Sequence, residues 1–169
     1  MSREGSTERM APVSSEEFRR ACGRFATGVT VASVIDAQGA AHGLTVSSFT
    51  PVSLDPPLVA ICLGRAVTTI DAFRQASHFG INILREEHRD LSQRFATRGH
   101  DRFNGVAWQR GATGVPLLDC ALASLECEAY HRFTAGDHDI LVGQVVGTRV
   151  EEGTPLVHFA SRYRRLAAD

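Results

Sequence analysis

Hydrophobic positions along this chain fall into short runs separated by turn residues, and the period of each run predicts its element. Ser14-Ser15-Glu16-Glu17 has the spacing of a capping box, and Phe18, Ala21, Cys22 and Phe25 recur at helical intervals. This predicts a short amphipathic helix that Gly28 ends. Val29 to Ile35 is β-branched and apolar and predicts a buried strand. Asp36-Ala37-Gln38-Gly39 is a turn signal, and Ala40 to Phe49 predicts the returning arm of a hairpin. Pro56-Pro57 interrupts regular hydrogen bonding, and Leu58 to Leu63 predicts the third strand.

Further along, Ile70 to Gln75 reads as a helix with Thr68 at its N-cap, and Phe79 to Leu84 as a strand. Glu86 to Thr97 predicts a polar helix with Leu91 and Phe95 on one face, followed by a mixed loop from Gly99 to Arg110 and a turn from Gly111 to Pro116. Ala121 to Phe133 and Ile140 to Val150 predict two long strands, broken at Gly136-Asp137-His138-Asp139. Gly153-Thr154-Pro155 turns into a last strand from Leu156 to Phe159, before an arginine-rich tail. Strands outnumber helices and short turns join most neighbours. The expected architecture is therefore mainly β with peripheral helices, an antiparallel barrel or sandwich. No strand leads through G-x-G-x-x-G into a helix, which argues against a Rossmann sheet.

Three stretches carry possible chemistry, and each has a plain structural reading beside the functional one. The first, HGLTVSSFTPVSLDPPL from His42 to Leu58, is dense in hydroxyls. By alternation Thr45, Ser47 and Phe49 share one face and Val46, Ser48 and Thr50 the other, giving either a partly exposed strand or a wall for a flat, polar-edged ligand. The second is Arg65 to Thr69, leading into a helix. A helix start with an arginine beside it suits a phosphate, although Thr68 also serves as a simple cap and Asp71 opposes an anion. In the third, His138 lies between Asp137 and Asp139, a hairpin turn or a histidine oriented to donate to an amide or stack on a ring. No second histidine or cysteine stands near for zinc, and no G-x-S-x-G elbow exists.

Composition narrows the field. A length of 169 residues is about one domain, able to bury roughly 70% of its surface. The expected organisation is a flexible tail over 1–13 and a single domain over 14–169. A formal net charge of −1 excludes a strongly basic nucleic-acid binder. All 18 basic side chains are arginines, so any phosphate held by a side-chain cation meets a planar fork. The four cysteines, Cys22, Cys62, Cys120 and Cys127, are scattered as free thiols would be in a reducing cytoplasm. No signal-peptide pattern opens the chain and no apolar run reaches about 18 residues, so a cytoplasmic location without membrane contact is expected.

Taken together, FATGVTVAS (25–33), HGLTVSSFTPVSLDPPL (42–58), FGINIL (79–84), FA (95–96), RF (102–103), GDHD (136–139) and PLVHFASRYRRL (155–166) resemble the flavin reductase-like family of FMN-binding split barrels. The likeness is to the small reductase components of two-component flavin monooxygenases. It covers nearly the whole chain, from Phe18 to Leu166. The resemblance implies an antiparallel Greek-key split β-barrel that dimerises, with flavin in a groove near the interface. It assigns Thr45, Val46, Ser47 and Ser48 to the isoalloxazine and Arg65, Thr68 and Thr69 to the phosphate. Phe95, Ala96 and Arg102 would line the same groove, His138 would meet the nicotinamide, and Tyr163 matches the family's closing tyrosine. Two departures stand out: Val46-Ser47-Ser48 replaces a frequent Ala-Asn-Ser, and the usual serine of the phosphate loop is missing between Arg65 and Val67.

The implied activity is NAD(P)H:flavin oxidoreduction, with FMN or FAD as flavin and NADH or NADPH as hydride donor. Reduced flavin would then diffuse to a partner oxygenase. Hydride passes between the two cofactors, so the protein's share is to stack the rings and stabilise the reduced one. Backbone N–H groups of 45–48 would face the pyrimidine edge, and His138 would act catalytically by orienting the nicotinamide. Two other classes remain: a flavin-binding electron carrier without its own nicotinamide reaction, and a barrel that binds a non-flavin ligand.

Overall fold

The computed structural model describes residues 11–99 and 101–167; the expected tail over 1–13 lies largely outside the described residues. The dominant element is a seven-stranded antiparallel sheet. Its strands are β2 (Thr30–Ile35), β3 (Ala41–Val46), β4 (Thr50–Leu54), β5 (Pro57–Gly64), β6 (His78–Ile83), β9 (Ala123–Ala135) and β10 (His138–Val150), in the spatial order β3-β2-β6-β9-β10-β5-β4. Two small antiparallel sheets accompany it, one of β1 (Thr27–Gly28), β11 (Val157–Phe159) and β12 (Arg162–Arg164), the other of β7 (Trp108–Arg110) and β8 (Pro116–Leu118). The helices are α1 (Ser15–Cys22), α2 (Ile70–Gln75) and α3 (Arg89–Ala96).

The order of strands has a geometric consequence. β3 and β4 lie at opposite edges of the sheet, yet only Ser47, Ser48 and Phe49 separate them in sequence. Seven strands laid flat would hold those edges about 29 Å apart. The chain from Val46 to Thr50 reaches about 14 Å at most. The sheet therefore curls until its edges approach, bringing β3 against β5. Residues 47–49 are the seam.

β2 explains how one short strand organises two cores. All of Thr30 to Val34 is buried, so successive side chains enter opposite faces and both faces are covered. Ala32 and Val34 join Leu44, Val46, Ile61 and Phe79 on one side. Val31 joins Leu84, Phe95, Leu118 and Leu156 on the other, under α3. Asn82 pins the second side, donating to the Val31 carbonyl at 3.2 Å and accepting from the Leu118 N–H at 2.8 Å.

Most expected elements form, with corrections that have physical causes. The capping box at Ser14 and Glu17 is present, but α1 stops at Cys22 with Gly23 as its C-cap, and Gly28 pairs in β1 instead of ending a helix. α1 buries no residue, leaving Phe18 exposed. Thr69, not Thr68, is the N-cap of α2, and no side chain caps it. The helix expected from Glu86 begins as a 3-10 turn over Glu86–His88 and becomes α3 only at Arg89. The 50–54 stretch is a strand of its own: Leu54 pairs with Pro57 across Asp55-Pro56, Pro51 fits because β4 is an edge, and Pro57 fits as the first residue of β5, before its pairing with β10 begins. Trp108–Arg110, expected as loop, pairs with β8, and the 162–164 tail forms β12. His138 and Asp139 belong to β10, so the break is confined to Gly136-Asp137.

Candidate active site

The hydroxyls of the seam are largely committed to backbone. Thr45 Oγ1 donates to the Ser92 carbonyl at 2.6 Å, tying β3 to α3. Ser92 Oγ meets the Tyr163 hydroxyl at 2.9 Å, so Thr45, Ser92 and Tyr163 form one chain of contacts. The Arg89 guanidinium covers the Tyr163 ring at 5.4 Å. Ser48 Oγ accepts from the Cys62 N–H at 2.8 Å and donates to the Cys62 carbonyl at 3.1 Å, completing an edge of β5 that no strand covers there. Regular alternation therefore fails after Val46: Val46 is buried in the core, Ser47 is exposed, and Ser48 turns onto β5.

Gly43 sets the depth of the groove behind β3. A Cβ there would meet Phe95 Cε1 at 2.7 Å, so only glycine lets the ring lie beneath the strand. Phe95 is fully buried and edge-on to Phe103, with centroids 5.0 Å apart. It does not line the groove as expected but forms its floor from below, while Ala96 is exposed. Arg102 donates to the Gly43 carbonyl at 2.6 Å and to the Thr97 carbonyl at 3.0 Å. Only 9% of it is exposed, and burial lowers its pKa from the ordinary arginine value.

Above this floor opens a cavity of about 700 Å³, bounded by Ala41, Gly43, Thr68, Thr69, Arg102 and Trp108. A second, of about 520 Å³, shares His42, Thr68 and Thr69 with it and continues toward Asp36 and Ser77. His42 stands at the junction, its Nε2 held by Asp36 at 2.6 Å. The hydrogen bond to His42 is the main cause holding the Asp36 carboxyl below its usual pKa. Thr69 Oγ1 is buried without a hydrogen-bond partner among the described residues. An orphaned hydroxyl and a buried guanidinium that line one cavity suit a phosphorylated ligand. Thr68, Thr69 and Arg102, 34 positions apart at their extremes, thus line one cavity.

Arg65 and His138 form a separate group at the Gly136 turn. The Arg65 N–H donates to the Asp137 carbonyl at 2.9 Å, and its side chain approaches Asp139 at 3.8 Å. Asp139 is taken by Arg74 at 2.7 Å, which is the main reason its pKa falls. His138 is therefore held by one carboxylate, not two: its Nδ1 meets Asp137 at 2.7 Å. His138 pairs across β5 with Gly64, two residues from the Cys62 that Ser48 grips. The imidazole thus lies along the same strand end as the seam.

Sequence reasoning missed Gly43, Ser92, His42 and Trp108. Gly43 and His42 stood within the quoted HGLT text, but a close approach and a shared cavity wall leave no local signal. Ser92 sits in a polar helix and is recognisable only once α3 is packed.

Residues 22–167 match the family model described as the flavin reductase like domain. The chain belongs to the flavin reductase-like family. It is 40% identical over 152 residues to the actinorhodin polyketide dimerase of Streptomyces coelicolor, covering 89% of this chain and 86% of that one. It is 38% identical over 154 residues to the reductase component of a 4-nitrophenol 4-monooxygenase/4-nitrocatechol 2-monooxygenase of Rhodococcus opacus, covering 91% and 82%. Some relatives are longer: the chain spans only 41% of a probable flavin reductase of Rhizobium meliloti. Among solved structures, the Streptomyces globisporus NADH:FAD oxidoreductase in complex with NAD and FAD fragments superposes with a TM-score of 0.88. That pair is 34% identical and covers 96% of this chain and 98% of the other.

Proposed function

We propose that this chain is an NAD(P)H:flavin oxidoreductase that supplies reduced FMN or FAD to a partner monooxygenase in the cytoplasm. The observation that carries the reading is the meeting of the Ala41–Gly43 stretch of β3, of Thr69 with its orphaned hydroxyl, and of the buried Arg102 around one groove, in a chain of this family. A flavin contributes the redox chemistry when bound, accepting hydride from the nicotinamide. The chain's own residues do the rest. Backbone N–H groups of 45–48 meet the polar edge of the ring, Thr68 and Thr69 hold the phosphate, and Arg102 adds the cation. Thr45 and Tyr163 act through Ser92 to fix the wall, and Val46, Phe95 and Ala96 support it. His138, swung from Asp137, orients the nicotinamide; Arg65 acts beside it.

The architecture accompanying this function is a split barrel, supported by the three-residue link between the outer strands of the curled sheet. The active form is a homodimer. Phe18 and Phe25 near α1, Tyr130 and Phe133 on β9, and Leu54 at the β4 turn are exposed apolar side chains that a second copy of the chain could cover. Among the described residues no helix is long and apolar enough to cross a membrane.

Steady-state oxidation of NADH and NADPH with FMN, FAD and riboflavin in turn tests the proposal. Turnover with at least one phosphorylated flavin is expected, with a lower KM than for riboflavin. Flavin binding without nicotinamide oxidation would mean an electron carrier, and no flavin binding would leave a barrel for another ligand. A second reading draws on the likeness to a polyketide dimerase. It predicts polyketide coupling by this chain without an added oxygenase, whereas the reductase reading requires one.

A further inference from the structure

A smaller cavity, of about 170 Å³, is lined by residues of α2 and of the turn-side ends of β5, β9 and β10. It shares no lining residue with either of the joined cavities behind β3. Its apolar lining is Leu63, Ile70, Phe73, Phe133, Ile140 and Leu141, and Leu63, Ile70, Phe73 and Leu141 belong to the buried core. The other lining residues, Arg74, Arg132, Thr134 and Asp139, are polar, and three of them satisfy one another. Asp139 accepts from Arg74 Nε at 2.7 Å and from Thr134 Oγ1 at 3.2 Å, so its charge is already met. Arg132 is the exception. It has no carboxylate within ion-pair distance among the described residues, and its hydrogen bond runs to the neutral Ala76 carbonyl. The lining therefore holds two cations against one anion, with the excess on Arg132.

We propose that this cavity is a binding site for a monocyclic aromatic monocarboxylate, with the ring among the core side chains and the carboxylate on Arg132. Size selects the ring: an apolar cavity of about 150 Å³ stays dry and accepts a single benzene. The fused rings of a flavin exceed that space, and a bare inorganic anion would leave the apolar lining unfilled. Charge selects the substituent. A guanidinium whose protein partner is a neutral carbonyl gains a charge-assisted hydrogen bond from a carboxylate, and the ligand's single negative charge matches the single excess cation. The site goes beyond the reductase reading and takes no part in it.

NMR titration of the full chain with benzoate, benzamide and acetate, repeated with FMN and with NADH present, tests the assignment. Benzoate is expected to bind with a dissociation constant on the order of 1 mM, shifting the methyl signals of Leu63, Ile70 and Leu141. Benzamide keeps the ring without the charge and should bind about fivefold more weakly. Acetate lacks the ring and should leave those methyl signals in place. Arg132→Gln retains a donor for the Ala76 carbonyl and should lower benzoate to the level of benzamide, with benzamide held within about twofold. Ile140→Phe narrows the space and should weaken both aromatics by about tenfold. Arg132 is exposed, so its variant decides the matter if Ile140→Phe does not fold. No methyl shift with about 20 mM benzoate would overturn the site, as would equal affinities for benzoate and benzamide. Displacement of benzoate by FMN or NADH would overturn it in favour of a cofactor site. Methyl shifts that follow protein concentration and exclude benzoate would overturn it in favour of a contact between two copies of the chain.

Discussion

The seam beside β3 and the turn at Gly136 both carry polar side chains assigned to cofactor handling, but they are held in opposite ways. At the seam every hydroxyl with a described partner is tied to backbone from another element: Thr45 to α3, Ser48 to β5. Beneath it Arg102 and Phe95 lock onto Gly43. At the turn, His138 has only its neighbour Asp137, whose side chain is 96% exposed. A surface that must hold a ring in one orientation is built by contacts distant in sequence. The side chain proposed to meet the nicotinamide is left on a hairpin end, where local opening costs little. Rigidity and access are separated in space.

Substitutions can break this contrast, and the largest effect belongs to the seam's foundation. Phe95→Ala should destabilise the protein by about 3–5 kcal/mol, read as a lower denaturant midpoint. Ser48→Ala strips the Cys62 N–H and carbonyl of their partner and should cost about 1–3 kcal/mol, with weaker flavin binding in titration. At the turn the effects are smaller and fall on turnover. Asp137→Asn should leave the denaturant midpoint essentially unchanged while raising the KM for NADH. Asp137 also gives a sign for acid behaviour. Its pKa is depressed in the folded protein, chiefly by the hydrogen bond with His138, so its contribution is present above the ordinary carboxylate range. That contribution disappears as the pH falls through the lowered value, and a pH profile of the KM should rise on the acid side in wild type and lose that limb in Asp137→Asn.

The same contrast explains what could be read in the chain beforehand. β2, β5, β6 and the long β9–β10 pair were legible because burial on one or both faces writes itself into apolar patterning. The turn at Gly136 was legible because glycine and aspartate mark it locally. The seam was half legible. Its hydroxyls announced themselves, but their partners did not: Ser48 gripping Cys62 and Thr45 gripping Ser92 depend on the curl of the sheet, which follows from strand order and not from local pattern. Phe95 was named for the groove but lies under it, because nothing before Gly43 is placed distinguishes a lining ring from a supporting one. Arg65 was expected at the phosphate, and its guanidinium stands 3.8 Å from Asp139, a partner 74 positions away that no local pattern announces.

The central claim is that flavin is held at the seam while hydride delivery depends on the turn, and His138→Ala separates the two. Rapid mixing of the flavin-loaded variant with NADH, beside a flavin titration of the same preparation, measures both. The account predicts a flavin affinity within about twofold of wild type and reduction slowed by about tenfold or more. Weakened flavin binding with reduction at the wild-type rate would contradict it.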